Sequence, residues 1–271
     1  MIATARSFLF VPGDRDDRFD KAIAAGADCT ILDLEDAVRP EEKATARRKV
    51  SGWLAAGNRA AVRINSRDTE YYRDDLDLLR SENITAVFLP KAQSEEDCHD
   101  VLQAMKPGVA LLPLVECAIG LMAAPRIASV EGVRRLVFGS VDFMSSCGIA
   151  DDRQGLLYAR SALVQASAIA GIAGPVDGVT LALDDSEQLA LDCHMARGLG
   201  MTGKLCIHPR QVKGVNEGFS PSQDELDEAR RIVSAAEAAG ARGAIRLDGK
   251  LVDLPVVERA YRIIEQSERG A

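Results

Sequence analysis

The stretch Ala110–Leu121 reads ALLPLVECAIGL, an apolar run that contains one carboxylate, Glu116. A continuous apolar run of this kind is typical of a strand in a parallel sheet that helices cover on both faces. An unpaired carboxylate there would be costly to desolvate, so Glu116 is a candidate functional residue. The apolar segment continues to Pro125, but Glu116 and two prolines interrupt it, which excludes a membrane span.

Short runs of the same kind recur along the chain, and segments of helical character separate them. Eight strand–helix units in about 210 residues favour a closed (β/α)8 barrel, for which about 250 residues is typical. An open doubly wound sheet is the alternative, but neither G-x-G-x-x-G nor G-x-x-x-x-G-K-[ST] follows any predicted strand. The predicted strands are Phe8–Val11, Cys29–Leu34, Ala61–Ile64, Ala86–Leu89, Leu111–Val115, Arg135–Phe138, Pro175–Val179 and Lys204–Ile207.

The composition excludes several classes of protein. The 271 residues carry 41 acidic and 33 basic side chains, a net charge of −8, and 47% of the residues are apolar. This apolar fraction excludes intrinsic disorder, and a pI of about 5.1 argues against nucleic-acid binding. The six cysteines form no C-x-x-C pair, which favours small buried thiols in a reducing cytoplasm. Because the apolar start, Phe8–Val11, is too short for a secretory signal, we expect a cytoplasmic protein that binds no membrane.

Polar residues follow the predicted strands, at the ends that meet on one face of a barrel. Two of them, Glu116 and Asp142, follow successive strands and suit a hard-oxygen site for Mg²⁺ that water and substrate oxygens complete. A hydrogen-bonded structural pair is the alternative, and the spacing does not decide between the two. The other residues at these ends are Asp14, Asp33, Glu35, Asp36, Arg63, Asn65, Lys91, Asp177 and His208.

Two basic features belong to the same predicted face. Arg63 in the motif VRIN has a planar fork that suits a carboxylate or a phosphate. The alternative for Arg63 is a salt bridge to the acidic segment DLED at 33–36. Arg15, Arg18 and Lys21 form a basic cluster after the first strand, which is either a phosphate site or a solvated helix face.

The last fifty residues exceed what a barrel needs. Gln223–Gly240 has the pattern of an amphipathic helix, an extended segment surrounds Asp248 and Gly249, and Pro255–Gln266 is predicted as a final helix. We therefore expect a barrel domain at 1–220 and a C-terminal helical extension at 221–271. The extension is a candidate lid or an arm that reaches a neighbouring subunit.

A series of short motifs spans nearly the whole chain. They are RSFLFVPG (6–13), DLEDAV followed by K-x-x-A-R (33–47), VRIN (62–65), LPK (89–91), LVE-x-x-x-GL (114–121), FGSVD (138–142), GLGMTGKLCIHPRQV (198–212) and GKLVDLP (249–255). In this order they resemble the citrate lyase beta-subunit-like family of the HpcH/HpaI aldolase group, which also holds malyl-CoA and citramalyl-CoA lyases. The resemblance implies an Mg²⁺-dependent (β/α)8 barrel that forms homotrimers or hexamers.

The resemblance also implies roles for residues of the predicted site. Glu116 and Asp142 match the two metal-binding carboxylates, and Arg63 matches an arginine that binds the carboxylate of the 2-oxo acid. Glu35 and Asp36 match an acidic pair that orders metal-bound water.

Further correspondences concern coenzyme A and the tail. The cluster with Arg15 and Lys21 falls where relatives contact CoA phosphates. Asp253 matches an aspartate that the adjacent subunit donates in CoA-ester lyases, which makes it the candidate general acid, or the base in the reverse direction. The alternative is a structural role, in which Asp253 caps the final helix.

The resemblance predicts an Mg²⁺-dependent lyase, with Mn²⁺ as a possible substitute. It would cleave the carbon–carbon bond of a 3-hydroxy-carboxyacyl-CoA, of the citramalyl-, malyl- or citryl-CoA type, to acetyl-CoA and a 2-oxo acid. Three alternatives stay open at this point. They are the beta subunit of a citrate lyase complex acting on a carrier-protein thioester, a malyl-CoA-type thioesterase, and a non-catalytic CoA-ester-binding protein.

Overall fold

A closed barrel of eight parallel strands forms the centre of the protein. The computed structural model describes residues 2–240 and 244–270, and neighbouring strands pair in sequence order until β8 pairs with β1. Each predicted run forms a strand, so the predicted (β/α)8 barrel is confirmed. The strands are β1 (Ser7–Pro12), β2 (Cys29–Asp33), β3 (Ala60–Arg63), β4 (Ile84–Leu89), β5 (Ala110–Val115), β6 (Val137–Phe138), β7 (Val176–Asp177) and β8 (Gly203–Cys206).

Helices follow the strands. The sequence did not predict α5, α6 or α9, because α5 continues the apolar run of β5 and α6 is only eight residues long. The helices are α1 (Phe19–Ile23), α2 (Lys43–Ala55), α3 (Tyr72–Leu78), α4 (Glu95–Ala104), α5 (Ala118–Ala128), α6 (Ser140–Cys147), α7 (Leu157–Ala170), α8 (Ser186–Leu199), α9 (Pro209–Gly218), α10 (Gln223–Ala238) and α11 (Leu254–Gly270).

The core of the barrel contains one cluster of buried apolar side chains from its strands. Phe8 of β1 contacts Phe88 of β4 edge to face, with ring centroids 6.0 Å apart. Ile31, Leu112 and Leu205 belong to the same cluster. The barrel is thus a packed core that supports a site at its rim.

A buried group of three charges joins the sheet to α7. Asp177 at the end of β7 accepts hydrogen bonds from Arg160 Nε at 2.8 Å and from Lys204 Nζ at 3.1 Å. All three residues are at most 5% exposed. Lys204 also donates to the carbonyl of Gly178, and Arg160 to that of Asp152. The group fixes the chain after β7 and the loop before α7. Asp177, one of the polar residues of the predicted face, therefore contributes to the packing of the barrel.

The chain divides into two compact units, Met1–Asn216 and Glu217–Ala271. In the second unit α10 and α11 pack together, and a hairpin of β9 (Ile245–Leu247) and β10 (Lys250–Val252) lies between them in sequence. Asp248 and Gly249 both have positive φ, as a two-residue hairpin turn of type I′ requires. The predicted division at 220 falls just inside this second unit, and the role predicted for 221–271 stays a prediction.

The structure corrects the expectation about the cysteines. Cys147 is exposed and Cys117 is half-buried, because they lie at the C-terminus of α6 and at the N-cap of α5. Cys29, Cys98 and Cys193 are buried, as is Cys206. Within the described part of the chain, no helix has the length and apolar character that a bilayer crossing requires.

Candidate active site

A cavity of about 340 Å³ opens at the carboxyl ends of the barrel strands. Its polar lining brings together five residues of the predicted face: Asp33, Asp36, Arg63, Glu116 and Asp142. Its apolar lining includes Phe10, Leu114, Phe138, Val179, Leu205 and Ile207. Chemistry in (β/α)8 enzymes is kept at this face, so the cavity is the candidate active site.

Glu116 follows β5 directly and is only 4% exposed. Its Oε2 accepts a hydrogen bond from the backbone N–H of Lys91 at 2.9 Å. Lys91 adopts a left-handed backbone with φ of 51°, which is uncommon for a residue other than glycine. A Cβ at Gly139 would collide with the Glu116 side chain, so Gly139 packs directly against it. Lys91 and Gly139 therefore fix where the carboxylate of Glu116 lies.

Asp142 lies in the first turn of α6, and its side chain is exposed to the cavity. The start of α6 packs tightly against the chain after β7, because a Cβ at Gly178 would clash with Ser140. The motif FGSVD thus combines a glycine that admits Glu116, a serine that packs on Gly178, and the carboxylate of Asp142.

Arg63 ends β3 and is 8% exposed. Its Nε and Nη2 donate to the two oxygens of Asp33 at 2.7 and 2.6 Å. Its Nη1 lies 3.0 Å from Glu35 Oε2 and 3.4 Å from Asp36 Oδ2, and the guanidinium is 4.5 Å from the centroid of the Phe10 ring. The alternative of a salt bridge to DLED is therefore present. Binding of a substrate carboxylate by Arg63 stays a prediction.

Asp33 organises this part of the site, and the sequence had given it no role of its own. Besides holding Arg63, its carboxylate accepts the backbone N–H groups of Glu35 at 2.9 Å and Ala37 at 3.1 Å. Its position as the last residue of β2, at the start of an acidic motif, was the signal available in the sequence.

The carboxylates of Glu35 and Glu116 are in surroundings that favour the neutral form. Both oxygens of Glu35 are buried and accept no hydrogen bond from the described residues, although Arg63 and Lys91 lie within ion-pair distance. Burial raises the pKa of Glu35 to about 7. Burial, with added repulsion from Glu35, raises the pKa of Glu116 to about 8. A cation among these groups would offset the desolvation cost by favouring the ionised forms.

These residues fit a magnesium ion. Mg²⁺ takes one or two protein carboxylates and fills its remaining positions with water and substrate oxygens. Glu116 and Asp142 are the two carboxylates of the cavity that are not paired with Arg63 in a salt bridge. In residues 2–240 and 244–270, no three His, Cys, Asp or Glu side chains are grouped to hold a metal by themselves. The site therefore suits an ion that shares its coordination with substrate.

Two predicted residues of the barrel unit do not line this cavity, and Asp253 belongs to the second unit. Arg15 forms an ion pair with Asp17 at 2.9 Å, and Lys21 is exposed on α1; neither lines the cavity. Asp253 precedes α11, and its Oδ1 accepts the backbone N–H of Val256 at 3.3 Å. Asp253 thus caps the N-terminus of α11, as the structural alternative predicts. Its catalytic role stays a prediction.

The barrel and its cavity define a (β/α)8 protein with an acidic candidate site built around one arginine. The chain belongs to the HpcH/HpaI aldolase/citrate lyase family, whose model matches residues 6–209. This confirms the resemblance inferred from the motifs.

Three similar proteins extend this comparison. A citrate lyase subunit beta-like protein of Deinococcus radiodurans is 35% identical over 97% of each chain. A (3S)-malyl-CoA thioesterase of Cereibacter sphaeroides is 33% identical, over 97% of this chain and 94% of the relative. A crystal structure of the protein CitE from Mycobacterium tuberculosis, in complex with magnesium, acetoacetate and coenzyme A, has a TM-score of 0.87. That chain is 31% identical, with 99% of this chain and 100% of that chain covered.

Proposed function

We propose that the protein is an Mg²⁺-dependent lyase that cleaves a 3-hydroxy-carboxyacyl-CoA to acetyl-CoA and a 2-oxo acid. The observation that carries this proposal is the cavity that Arg63 lines together with Glu116 and Asp142, the two lining carboxylates that form no salt bridge with it. Magnesium, coenzyme A and an oxo acid bound together in the similar protein from M. tuberculosis support the same chemistry.

In this proposal Glu116 and Asp142 hold the metal, and Mn²⁺ substitutes because it has a similar preference for oxygen. When bound, the ion supplies Lewis-acid stabilisation of substrate oxygens. The buried position of Glu116, fixed by the N–H of Lys91, keeps its carboxylate in place before the ion arrives. Glu35 and Asp36 add negative charge and order water near the ion.

Arg63 orients the substrate carboxylate. Asp33 engages the Nε and Nη2 edge of the guanidinium, and Glu35 and Asp36 lie within ion-pair distance of Nη1. A substrate carboxylate would therefore bind at Nη1 in competition with these two carboxylates. Because Asp33 and Phe10 fix the plane of the guanidinium, the substrate would be held in one orientation.

Bond cleavage converts the 3-hydroxyl group to the oxo group, with release of the hydroxyl proton to water, and leaves a thioester enolate that needs a proton. We propose that Asp253 of an adjacent subunit supplies it, in a homotrimer or hexamer, and that it removes the proton in the reverse direction. Arg15 and Lys21 would contact the CoA phosphates through their positive charge. The family resemblance of GKLVDLP and of the basic cluster supports these two assignments.

A thioesterase is the second candidate, because a relative that is 33% identical is named (3S)-malyl-CoA thioesterase. A thioesterase would release free CoA, whereas a lyase leaves an acetyl-CoA product. The beta subunit of a citrate lyase complex is a third candidate, since another relative is named citrate lyase subunit beta-like protein. A non-catalytic CoA-ester-binding protein would bind these thioesters without turnover.

A panel of thioesters tests the proposal. Purified protein alone, with Mg²⁺, is incubated with malyl-, citramalyl- and citryl-CoA, and the products are identified by mass. Turnover of at least one CoA ester without added protein supports a stand-alone enzyme. Turnover only of a thioester linked to an acyl-carrier protein would favour the complex subunit, and binding without any turnover would favour the non-catalytic protein.

A further inference from the structure

A buried lysine behind the candidate site has no role in the reaction described above. Lys43 begins α2 and is 7% exposed. Its Nζ donates to the carbonyls of Leu34 at 2.8 Å and of Glu35 at 2.7 Å, and it lies 5.7 Å from the ring centroid of Tyr71. Both of its hydrogen-bond acceptors are successive carbonyls of one loop, and neither is a carboxylate.

That loop, residues 33–37, carries the acidic side of the candidate site. Two buried side chains of opposite charge form hydrogen bonds with the backbone N–H and carbonyl groups of this loop. The carboxylate of Asp33 accepts the N–H groups of Glu35 and Ala37, and the ammonium of Lys43 binds the carbonyls of Leu34 and Glu35. The peptide groups on both sides of Glu35 are therefore held by the side chains of Asp33 and Lys43.

The consequence concerns the direction of the Glu35 side chain. With its backbone fixed, Glu35 places Oε2 3.0 Å from Arg63 Nη1, although neither of its oxygens gains a hydrogen bond from the described residues. A flexible loop would let this carboxylate turn towards water, where it would be better solvated. Burying a lysine costs free energy as well. Both costs are accepted in this loop, which keeps its charged groups in place before a ligand binds. This is the preorganisation that a charged site requires.

We propose that Lys43 is a positioning residue of the candidate site: it holds the 33–37 loop so that Glu35 and Asp36 face Arg63. Lys43 does not line the cavity and acts through the backbone carbonyls of Leu34 and Glu35. The part of this inference that concerns turnover rests on the proposed function, and the part that concerns loop order and metal binding does not.

The test compares Lys43→Met with Arg48→Met, a matched change at an exposed position of the same helix. We expect Lys43→Met to speed hydrogen exchange at the amides of Glu35 and Ala37. We also expect it to weaken Mn²⁺ binding by about 10–100-fold, the usual cost of losing a group that orients metal ligands. Arg48→Met should leave both quantities unchanged. Wild-type Mn²⁺ affinity and wild-type exchange in Lys43→Met would overturn the proposal.

A double-mutant cycle separates positioning from general stabilisation. If Lys43 acts through Glu35 and Asp36, adding Lys43→Met to a protein with both Glu35→Gln and Asp36→Asn should cost little further Mn²⁺ affinity, because these changes remove the same effect. Effects that multiply would show that Lys43 acts elsewhere and would contradict the proposal. Lys43→Gln, which keeps N–H donors but no charge, replaces Lys43→Met if that variant does not fold. Failure of every CoA ester to turn over would reject the proposed function while these binding and exchange measurements still decide the role of Lys43.

Discussion

Arg63 and Asp33 form a two-bond ion pair, with Nε and Nη2 of the arginine donating to the two carboxylate oxygens at 2.7 and 2.6 Å. The pair is buried at the end of β2 and β3, where these strands are neighbours in the barrel. Bidentate pairing fixes the plane of the guanidinium as well as its position. A substrate group that binds Arg63 must therefore approach Nη1, where Glu35 and Asp36 already lie within 3.4 Å.

Arg63→Lys keeps the charge and removes the fork. We expect kcat/KM for the CoA ester to fall by about 10²-fold, because a point charge does not reproduce the orientation of substrate. Steady-state kinetics of the two proteins measure this. If the variant matched the wild type, Arg63 would be only a salt-bridge partner of the DLED segment.

Glu116→Gln and Asp142→Asn should each abolish turnover and weaken Mg²⁺ binding. The barrel should keep its stability in Glu116→Gln, because burial raises the pKa of Glu116 to about 8 and a neutral side chain therefore suits this buried position. Turnover in EDTA, restoration by Mg²⁺ or Mn²⁺, and the melting temperature check these expectations. Undiminished activity in excess chelator would remove the metal from the mechanism.

The buried charges around Asp177 predict how stability depends on pH. Burial alone would raise the pKa of Asp177, but Lys204 and Arg160 hold it below its ordinary value. A carboxyl with a lowered folded-state pKa contributes stability above its unfolded pKa, near 3.9, and this contribution is lost as pH falls through the folded pKa. We expect Asp177→Asn to lose about 3–5 kcal/mol at pH 7, because it leaves two buried cations without their carboxylate.

Urea unfolding of the wild type and of Asp177→Asn between pH 7 and pH 3 measures both effects. The free energy of unfolding of the wild type should decline below about pH 4, and that of the variant should decline less. Parallel pH profiles would show that Asp177 does not carry this dependence.

Asp253→Asn separates capping from proton transfer. Asparagine still caps a helix but transfers no proton, so stability should hold while turnover falls by about 10²–10⁴-fold. Inactive Asp253→Asn and inactive Glu116→Gln proteins, dissociated and reassembled together, should recover part of the activity. A mixture that stays inactive despite proven subunit exchange would place Asp253 in its own subunit's site or leave it as a cap.

The sequence predicted the barrel well because most strands are short apolar runs with a clear end, as in LLPLVE, whereas the run at Pro175–Val179 was weak. It also predicted that Arg63, Glu116 and Asp142, at or just after strand ends, lie on one face, and all three line the cavity. The parts that were missed depend on tertiary contacts. Lys43 lies on a helix and reaches two carbonyls of a loop, and Lys91 contributes its backbone through a positive φ that lysine rarely adopts. For Arg63 the sequence left two partners open, and the structure shows the one within the protein.

The proposed lyase breaks a carbon–carbon bond with the help of a metal ion. Product masses from malyl-, citramalyl- and citryl-CoA, measured for purified protein with Mg²⁺ and with EDTA, test this reaction, with Glu116→Gln as control. For at least one of these esters we expect acetyl-CoA and the matching 2-oxo acid in equal amounts with Mg²⁺, and neither product with EDTA or in the variant. Free CoA together with the intact hydroxy acid would rule out the lyase and identify a thioesterase.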